Sequence, residues 1–265
     1  MKTFHLSLVV LVGLFVGCGR ERPEDVLPSA APVAKAEAKA DITSVEPVAT
    51  EPAQEPEPKL DDIKVSVKEK RIEIQGIFCL QEGILDYLAV TSGGQEYESV
   101  VSLRCKGSLL HAGLLALGAT PGPTEQVLKE LQQNPPKDQE IPKRTGTPLN
   151  ITCEWEKDGK TVSVPACRLL FNRKLRKEQT SGGWCFTGSF FAKDLDGKTE
   201  FYMADVEKAL IGVFYAPSAV INFEEDIGNP YDADDTGFAV NKEVVPRKDT
   251  PVKVIITLAE PAAKE

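Results

Sequence analysis

Histidine limits the chemistry that this chain can carry out. The sequence contains two histidines, His5 and His111, and His5 falls in a leader that we expect to be removed. A serine or cysteine nucleophile activated by imidazole, or a metal site that includes histidine, would therefore have to use His111. No G-x-S-x-G, P-loop, dinucleotide-binding or H-E-x-x-H motif is present. We interpret His111 as a neutral ring that ties a helix to a neighbouring strand, with ligand binding and catalysis as the alternatives.

A second set of residues has part of the spacing of a calcium-binding loop. Asp232, Asp234, Thr236 and Glu243 take positions 1, 3, 5 and 12, with a glycine at position 6. The valine at position 9 weakens the match, as does the preceding segment, which is rich in glycine, proline and acids where the motif has a helix. We therefore interpret this stretch as an acidic, solvated loop, and we expect no metal and no other cofactor.

Cys18 ends a short apolar run that is typical of a lipoprotein signal peptide. Residues 6–16 are apolar but too few to form a permanent membrane-spanning helix, and a small residue precedes the cysteine. We expect residues 1–17 to be removed and the Cys18 thiol to be acylated, for example with palmitate; an ordinary secretion signal is the alternative. Gly19, where an aspartate would retain a lipoprotein at the inner membrane, favours the outer membrane, facing the periplasm.

The segment after Cys18 is predicted to be a disordered tether that ends at residue 60. Residues 19–60 contain seven prolines, eight alanines and no aromatic residue, a composition that buries too little apolar surface to offset the entropy of ordering. The net charge of −9 argues against a nucleic-acid partner, since phosphate binding needs clustered lysine and arginine. The expected partners are the membrane, through the lipid, and an envelope protein or a small ligand.

Residues 61–260 are predicted to form one domain, followed by a disordered tail at 261–265. Apolar and polar residues alternate over 63–67 and 71–75, which predicts half-buried strands. An Asp-Gly pair at 158–159 lies between two further runs of this kind and predicts a tight hairpin. Strands are therefore expected to make up most of the domain.

Helices are predicted at two places. Leu110, Leu114 and Leu117 recur at i, i+4 and i+7 and predict a helix over 108–117, with its first serine as the N-cap. A narrow apolar stripe predicts a second, more polar helix over 124–133. The expected fold class is α+β: one sheet-rich domain with mostly antiparallel strands and two short helices.

The cysteines of the predicted domain show no metal-binding or redox motif. There are five of them, an odd number, and none lies in C-x-x-C spacing. The turn at 158–159 places Cys153 opposite Val164, so a disulfide between Cys153 and Cys167 would require a bulge. We expect buried free thiols, with disulfide pairing left open. The five are Cys79, Cys105, Cys153, Cys167 and Cys185.

Several different short motifs are spread along the predicted domain. The most specific are His-Ala-Gly-Leu-Leu-Ala-Leu-Gly at 111–118 and Gly-Trp-Cys-Phe-Thr-Gly-Ser at 183–189, with further pieces at 76–83, 97–100 and 202–205. In these pieces the chain resembles the YdjY-like family of exported bacterial proteins, over about residues 65–258. The resemblance implies export, often with a tether, and no agreed activity. The Val-Glu-Lys stretch at 206–208 departs from the glycine-bearing turn that the resemblance leads us to expect.

The polar or amphipathic residues within these motifs suggest a binding site. They are Glu98, His111, Trp184, Ser189 and Asp205, and we predict that they line one cleft beneath the His111 helix. The favoured function is a lipid-anchored, non-enzymatic binding or accessory module of the bacterial envelope. An enzyme that uses His111 or Glu98 as a base, and a structural envelope component, are the alternatives.

Overall fold

Strands dominate the parts of the chain that the computed structural model describes, which are residues 63–122, 146–225 and 227–259. The described helices are α1 (Gly107–Ala116) and α2 (Met203–Val206), with 3-10 turns at Glu96–Glu98 and Ala166–Leu169. In chain order the strands are β1 (Ile63–Ser66), β2 (Arg71–Phe78), β3 (Ile84–Leu85), β4 (Tyr87–Thr91), β5 (Ser99–Leu103), β6 (Pro148–Lys157), β7 (Lys160–Pro165), β8 (Leu170–Asn172), β9 (Lys177–Glu178), β10 (Trp184–Phe186), β11 (Phe191–Lys193), β12 (Glu200–Tyr202), β13 (Ala209–Gly212), β14 (Ile221–Phe223), β15 (Phe238–Val240) and β16 (Pro251–Leu258).

Eight of these strands close into a barrel. Their order is β2-β16-β6-β10-β14-β13-β4-β5, and β5 pairs back with β2. Neighbours in the barrel are antiparallel except for β13 with β14 and β4 with β5, which are parallel. Outside the ring, β1 pairs with β2 and β7 pairs with β6. A smaller sheet has the order β3-β15-β8-β9, and β11 and β12 form a separate hairpin.

The predicted α+β class is wrong, because the sheet closes on itself and the domain is mostly β. Closure depends on a close approach of β5 to β2 at Gly76, where an added Cβ would lie 2.2 Å from the carbonyl oxygen of Ser102. Only a residue without a side chain fits there. Apolar and polar alternation predicts strands but not which strand edges meet, so it could not distinguish an open sheet from this barrel.

The barrel interior is filled by the apolar side of each strand. Ile72 and Ile74 on β2, and Val254 on β16, are fully buried, as the period of two requires for residues that share one face. The ring of Trp155 on β6 packs edge-on against Phe78 at a centroid distance of 5.3 Å. The interior of the barrel is therefore filled by packed apolar side chains.

Helix α1 lies where the leucine spacing predicts a helix. Leu110 and Leu114 are fully buried against the barrel, while Leu115 on the opposite side is exposed. The predicted serine cap is wrong: the N-cap is Lys106, and no side chain of that residue closes the helix end. The second predicted helix, at 124–133, lies outside the described residues.

The hairpin of β6 and β7 has the two-residue turn predicted at 158–159. Both turn residues have positive φ, 52° and 71°, as a type I′ turn requires. Cys153 pairs with Val164, as predicted. All five domain cysteines are buried thiols that form no disulfide, and burial raises the pKa of the Cys79 and Cys153 thiols to about 12.

The predicted leader, tether and tail concern other parts of the chain. Residues 1–17, 18–60 and 261–265 lie outside the described residues, so the lipid at Cys18 stays a prediction. Within the described ranges, neither helix has the length and hydropathy needed to cross a bilayer.

Candidate functional site

The start of α1 is locked onto α2 by close packing and by a carboxylate. A Cβ added to Gly107 would lie 2.5 Å from the Cβ of Ala204, so the two helices touch where the glycine lies. The Oδ1 atom of Asp205 accepts a hydrogen bond of 2.9 Å from the backbone N–H of Ser108. An acid at this position satisfies an otherwise unpaired N–H and interacts favourably with the positive end of the helix dipole.

His111, one turn further along α1, is held by two partners on one ring nitrogen. Its Nδ1 lies 3.1 Å from the carbonyl oxygen of Gly188 and 2.7 Å from the hydroxyl oxygen of Tyr202. The Tyr202 hydroxyl donates to the same Gly188 carbonyl at 2.8 Å. If Nδ1 carried no proton, its lone pair would face a lone pair of the Gly188 carbonyl oxygen. The proton of the neutral ring therefore lies on Nδ1, and Nε2 carries the free lone pair. Among the described residues, Nε2 has no hydrogen-bond partner.

The electrostatic setting keeps this imidazole neutral. Burial lowers the pKa of His111, and the hydrogen bond to Gly188 opposes that effect only in part. The ring also packs edge-on against Phe186 at 4.9 Å and against Tyr202 at 5.5 Å. A neutral ring with an unprotonated Nε2 is a hydrogen-bond acceptor at neutral pH.

The turn beneath the imidazole has a strained backbone. Gly188 has φ 92° and Ser189 has φ 54°, and left-handed backbone is uncommon outside glycine. A Cβ on Gly188 would lie 2.6 Å from the Cβ of Pro121. Ser189 is buried and interacts with Tyr202: burial raises the pKa of Tyr202, and the contact with Ser189 opposes that rise. This geometry directs the Gly188 carbonyl at His111.

A pocket of about 200 Å³ opens beside His111, between α1 and the β11–β12 hairpin. Phe191 lies opposite Tyr202 in the hairpin, with ring centroids 5.1 Å apart. Leu115 and Phe191 are 48% and 56% exposed, although both are large and apolar. The pocket therefore combines an apolar wall with one neutral imidazole. Its lining residues are Ser108, His111, Ala112, Leu115, Phe191 and Tyr202.

The structure distributes the five predicted cleft residues over three places. His111, Ser189 and Asp205 lie around α1, where they hold the helix or its pocket. Trp184 is 2% exposed and packs against Phe223 in the core, with ring centroids 4.8 Å apart. Glu98 lies elsewhere, in the 3-10 turn before β5. Apart from His111, the residues that line the pocket were not in the predicted cleft; they are Ser108, Ala112, Leu115, Phe191 and Tyr202.

Glu98 belongs to a pair of carboxyl groups. The backbone N–H of Asp86 donates to the carbonyl oxygen of Glu98 at 3.0 Å, and the Glu98 carboxylate interacts electrostatically with the carboxyl of Asp86 and the hydroxyl of Tyr231. Burial, followed by the charge and the hydrogen bond of Glu98, raises the pKa of Asp86 to about 7. The sequence gives a weak signal for Asp86, which is the one charged residue in the apolar run 84–90.

The loop with calcium-like spacing is held by an arginine. The guanidinium of Arg173 donates to the backbone carbonyls of Pro230, Asp234 and Thr236. Backbone carbonyls of such a loop are used as cation ligands in calcium sites, and here a side-chain cation binds them. Within the described ranges, no group of three or more histidine, cysteine, aspartate or glutamate residues is arranged to hold a metal ion.

Comparison with known proteins identifies the family. Searches of the curated proteins and of the solved structures find no match. The family model described as the YdjY domain matches residues 63–257, nearly three quarters of the chain. The matched range covers the barrel, except for the last residue of β16, and the pocket beside His111. The resemblance seen in the sequence motifs is confirmed, and the chain belongs to the YdjY domain family.

Proposed function

We propose that this protein is a non-enzymatic binding module of the bacterial envelope, anchored by a lipid on Cys18, and that its ligand occupies the pocket beside His111. The observation that carries the proposal is the composition of that pocket. Two large apolar side chains, Leu115 and Phe191, are left about half exposed around a neutral imidazole. Apolar surface grouped around one polar atom is typical of small-ligand sites.

The pocket chemistry defines the kind of ligand. The exposed faces of Leu115 and Phe191 favour an aliphatic or aromatic body, since burial of apolar surface drives association. The lone pair on Nε2 of His111 favours an N–H or O–H donor on that body. The volume of about 200 Å³ fits a group of the size of one or two rings. An apolar group with one donor, free or on a partner protein, is the expected ligand.

The partners of His111 favour binding over catalysis. A general base in a nucleophilic site is usually oriented by a carboxylate and hydrogen-bonded to the nucleophile. Here the Nδ1 atom is held by a carbonyl and a phenol hydroxyl. The described cysteines are buried, and the raised pKa values of Cys79 and Cys153 disfavour the thiolate.

Nitrogen NMR on the histidine ring tests the pocket. Protein labelled with ¹⁵N-histidine is titrated with indole and with 1-methylindole, which has nearly the same shape but no N–H donor. We expect indole to shift the Nε2 signal of His111 saturably. One lost hydrogen bond contributes about 0.5–1.5 kcal/mol, so 1-methylindole should bind about three- to tenfold more weakly.

Matched variants separate the pocket from the rest of the surface. Leu115→Ala should weaken indole binding, whereas Leu175→Ala should not, although Leu175 is also exposed, at 57%. His111→Gln identifies the ring signals. Equal affinity for the two indoles, or no saturable shift of Nε2, would remove the basis of the proposal.

The anchor is tested separately by metabolic labelling with palmitate. We expect the wild-type protein to take up the label and to fractionate with membranes. Cys18→Ala should lose both properties, while Gly19→Ala should keep the label. Labelled Cys18→Ala protein would contradict attachment at this thiol.

A further inference from the structure

The barrel has an incomplete ladder between β6 and β16. Their last paired residues are Glu154 and Lys253. Beyond this pair, β6 continues to Lys157, where β7 pairs with its other edge. Among the described residues, the ladder between β6 and β16 therefore stops while one edge of β6 is still unpaired.

Hairpin geometry shows which backbone groups face this gap. In a two-residue hairpin the residues that flank the turn, here Lys157 and Lys160, exchange both hydrogen bonds. Because hydrogen-bonded and non-hydrogen-bonded pairs alternate, the N–H and C=O of Glu156 point away from β7 and into the gap. The register would place Pro251 opposite Glu156, and proline has no N–H to donate. The proline therefore removes one of the two hydrogen bonds that would extend the ladder.

A pocket of about 410 Å³ lies at this gap. Trp155 lines it and is 5% exposed, and its Nε1 donor is buried without a hydrogen-bond partner among the described residues. A buried donor without an acceptor is costly, so an acceptor supplied by a ligand would be favourable here. The lining residues on which the argument rests are Glu154, Trp155, Glu156, Thr161, Pro251 and Lys253.

The charges at the gap limit what can bind. Lys253 Nζ lies 2.8 Å from the carboxylate of Glu154, which neutralises the pair. The carboxylate of Glu156 accepts a hydrogen bond from the neutral Thr161 hydroxyl. The lining is therefore acidic by one charge, which favours a neutral or basic occupant over an acidic one.

We propose that this gap binds an extended peptide segment of a partner protein by strand addition. The segment pairs with the free N–H and C=O of Glu156, and one of its carbonyl groups accepts from Nε1 of Trp155. Added strands bind through backbone hydrogen bonds along an open edge. This site shares no lining residue with the pocket beside His111, so either proposal can fail without the other.

Selection from a phage-displayed library of random dodecapeptides tests the site. The wild-type chain is compared with Pro251→Val, which restores the missing N–H and lets β16 pair with Glu156. Pro165→Val is the control, because Pro165 is an exposed proline at the end of β7. We expect peptides enriched at least tenfold on wild type and on the control, and not on Pro251→Val. Equal enrichment on all three proteins, or none on wild type, overturns the proposal.

Indole NMR on the wild-type chain gives an independent measurement. The sequence contains two tryptophans, so the Trp184 indole N–H signal, from the core, is an internal control for that of Trp155. An enriched peptide should shift the Trp155 signal and leave the Trp184 signal in place. The same peptide with alternate backbone nitrogens methylated should lose at least tenfold in affinity. A methylated peptide that binds equally well, or an unmoved Trp155 signal, excludes strand addition at this gap.

Discussion

The carboxyl pair of Asp86 and Glu98 predicts an unusual dependence of stability on pH. The pKa of Asp86 is raised from 3.8 to about 7 in the folded protein. Between pH 3.8 and about pH 7, the carboxyl of Asp86 is ionised in the unfolded chain and protonated in the folded chain. The contribution of this group to the free energy of unfolding is therefore complete below about pH 4 and is lost as the pH rises to 7. At 1.36 kcal/mol per pH unit the loss is at most about 4 kcal/mol, which partial exposure reduces to about 1–3 kcal/mol.

Asp86→Asn isolates this contribution. The amide has the shape of the protonated carboxyl, and its N–H can donate to the carboxylate of Glu98. We expect the variant to be more stable than wild type by about 1–3 kcal/mol at pH 8 and to show no gain at pH 3. Urea unfolding at both pH values measures the difference. Asp235→Asn, at an exposed acid, is the control and should differ little from wild type. A variant that is less stable than wild type at pH 8 would contradict the raised pKa of Asp86 in the folded protein.

Two substitutions test the contacts that hold α1, and an alkylation experiment tests the state of the thiols. Gly107→Ala should destabilise the fold by about 1–3 kcal/mol through overlap with Ala204; urea unfolding measures this, and an unchanged midpoint would contradict the contact. Tyr202→Phe removes the hydroxyl that donates to Gly188, so the same assay should show a loss of about 1 kcal/mol. Alkylation without reductant should leave the native thiols unmodified and label all five domain cysteines in denaturant, since all are buried and outside disulfides; fewer labels would reveal a disulfide.

Local signals predicted the local structure of this domain. The leucine spacing found α1 because a helix on a barrel buries one stripe, and Leu110 and Leu114 form that stripe. The Asp-Gly turn fixed the hairpin register, which placed Cys153 opposite Val164. Each of these features depends on residues that are near one another in sequence, where periodicity and turn type are informative.

Barrel closure and the carboxyl pair depend on contacts that periodicity does not encode. The approach of β5 to β2 at Gly76 is visible in the sequence only as a glycine in a strand. Asp86 meets Glu98 because β4 and β5 lie side by side in parallel, an arrangement that the predicted, mostly antiparallel sheet would not suggest. The proton held by Asp86 follows from burial, which the sequence does not show.

Three of the five residues that were predicted to line one cleft lie around α1, and they help to hold this helix in place. Asp205 closes the helix end, and His111 is tied through Gly188 to the barrel. His111→Ala therefore removes a structural contact together with any ligand contact, and a lost phenotype in that variant would not separate the two roles. Leu115 lines the pocket from the exposed side of α1. Loss of function in Leu115→Ala with unchanged stability would therefore assign the phenotype to binding.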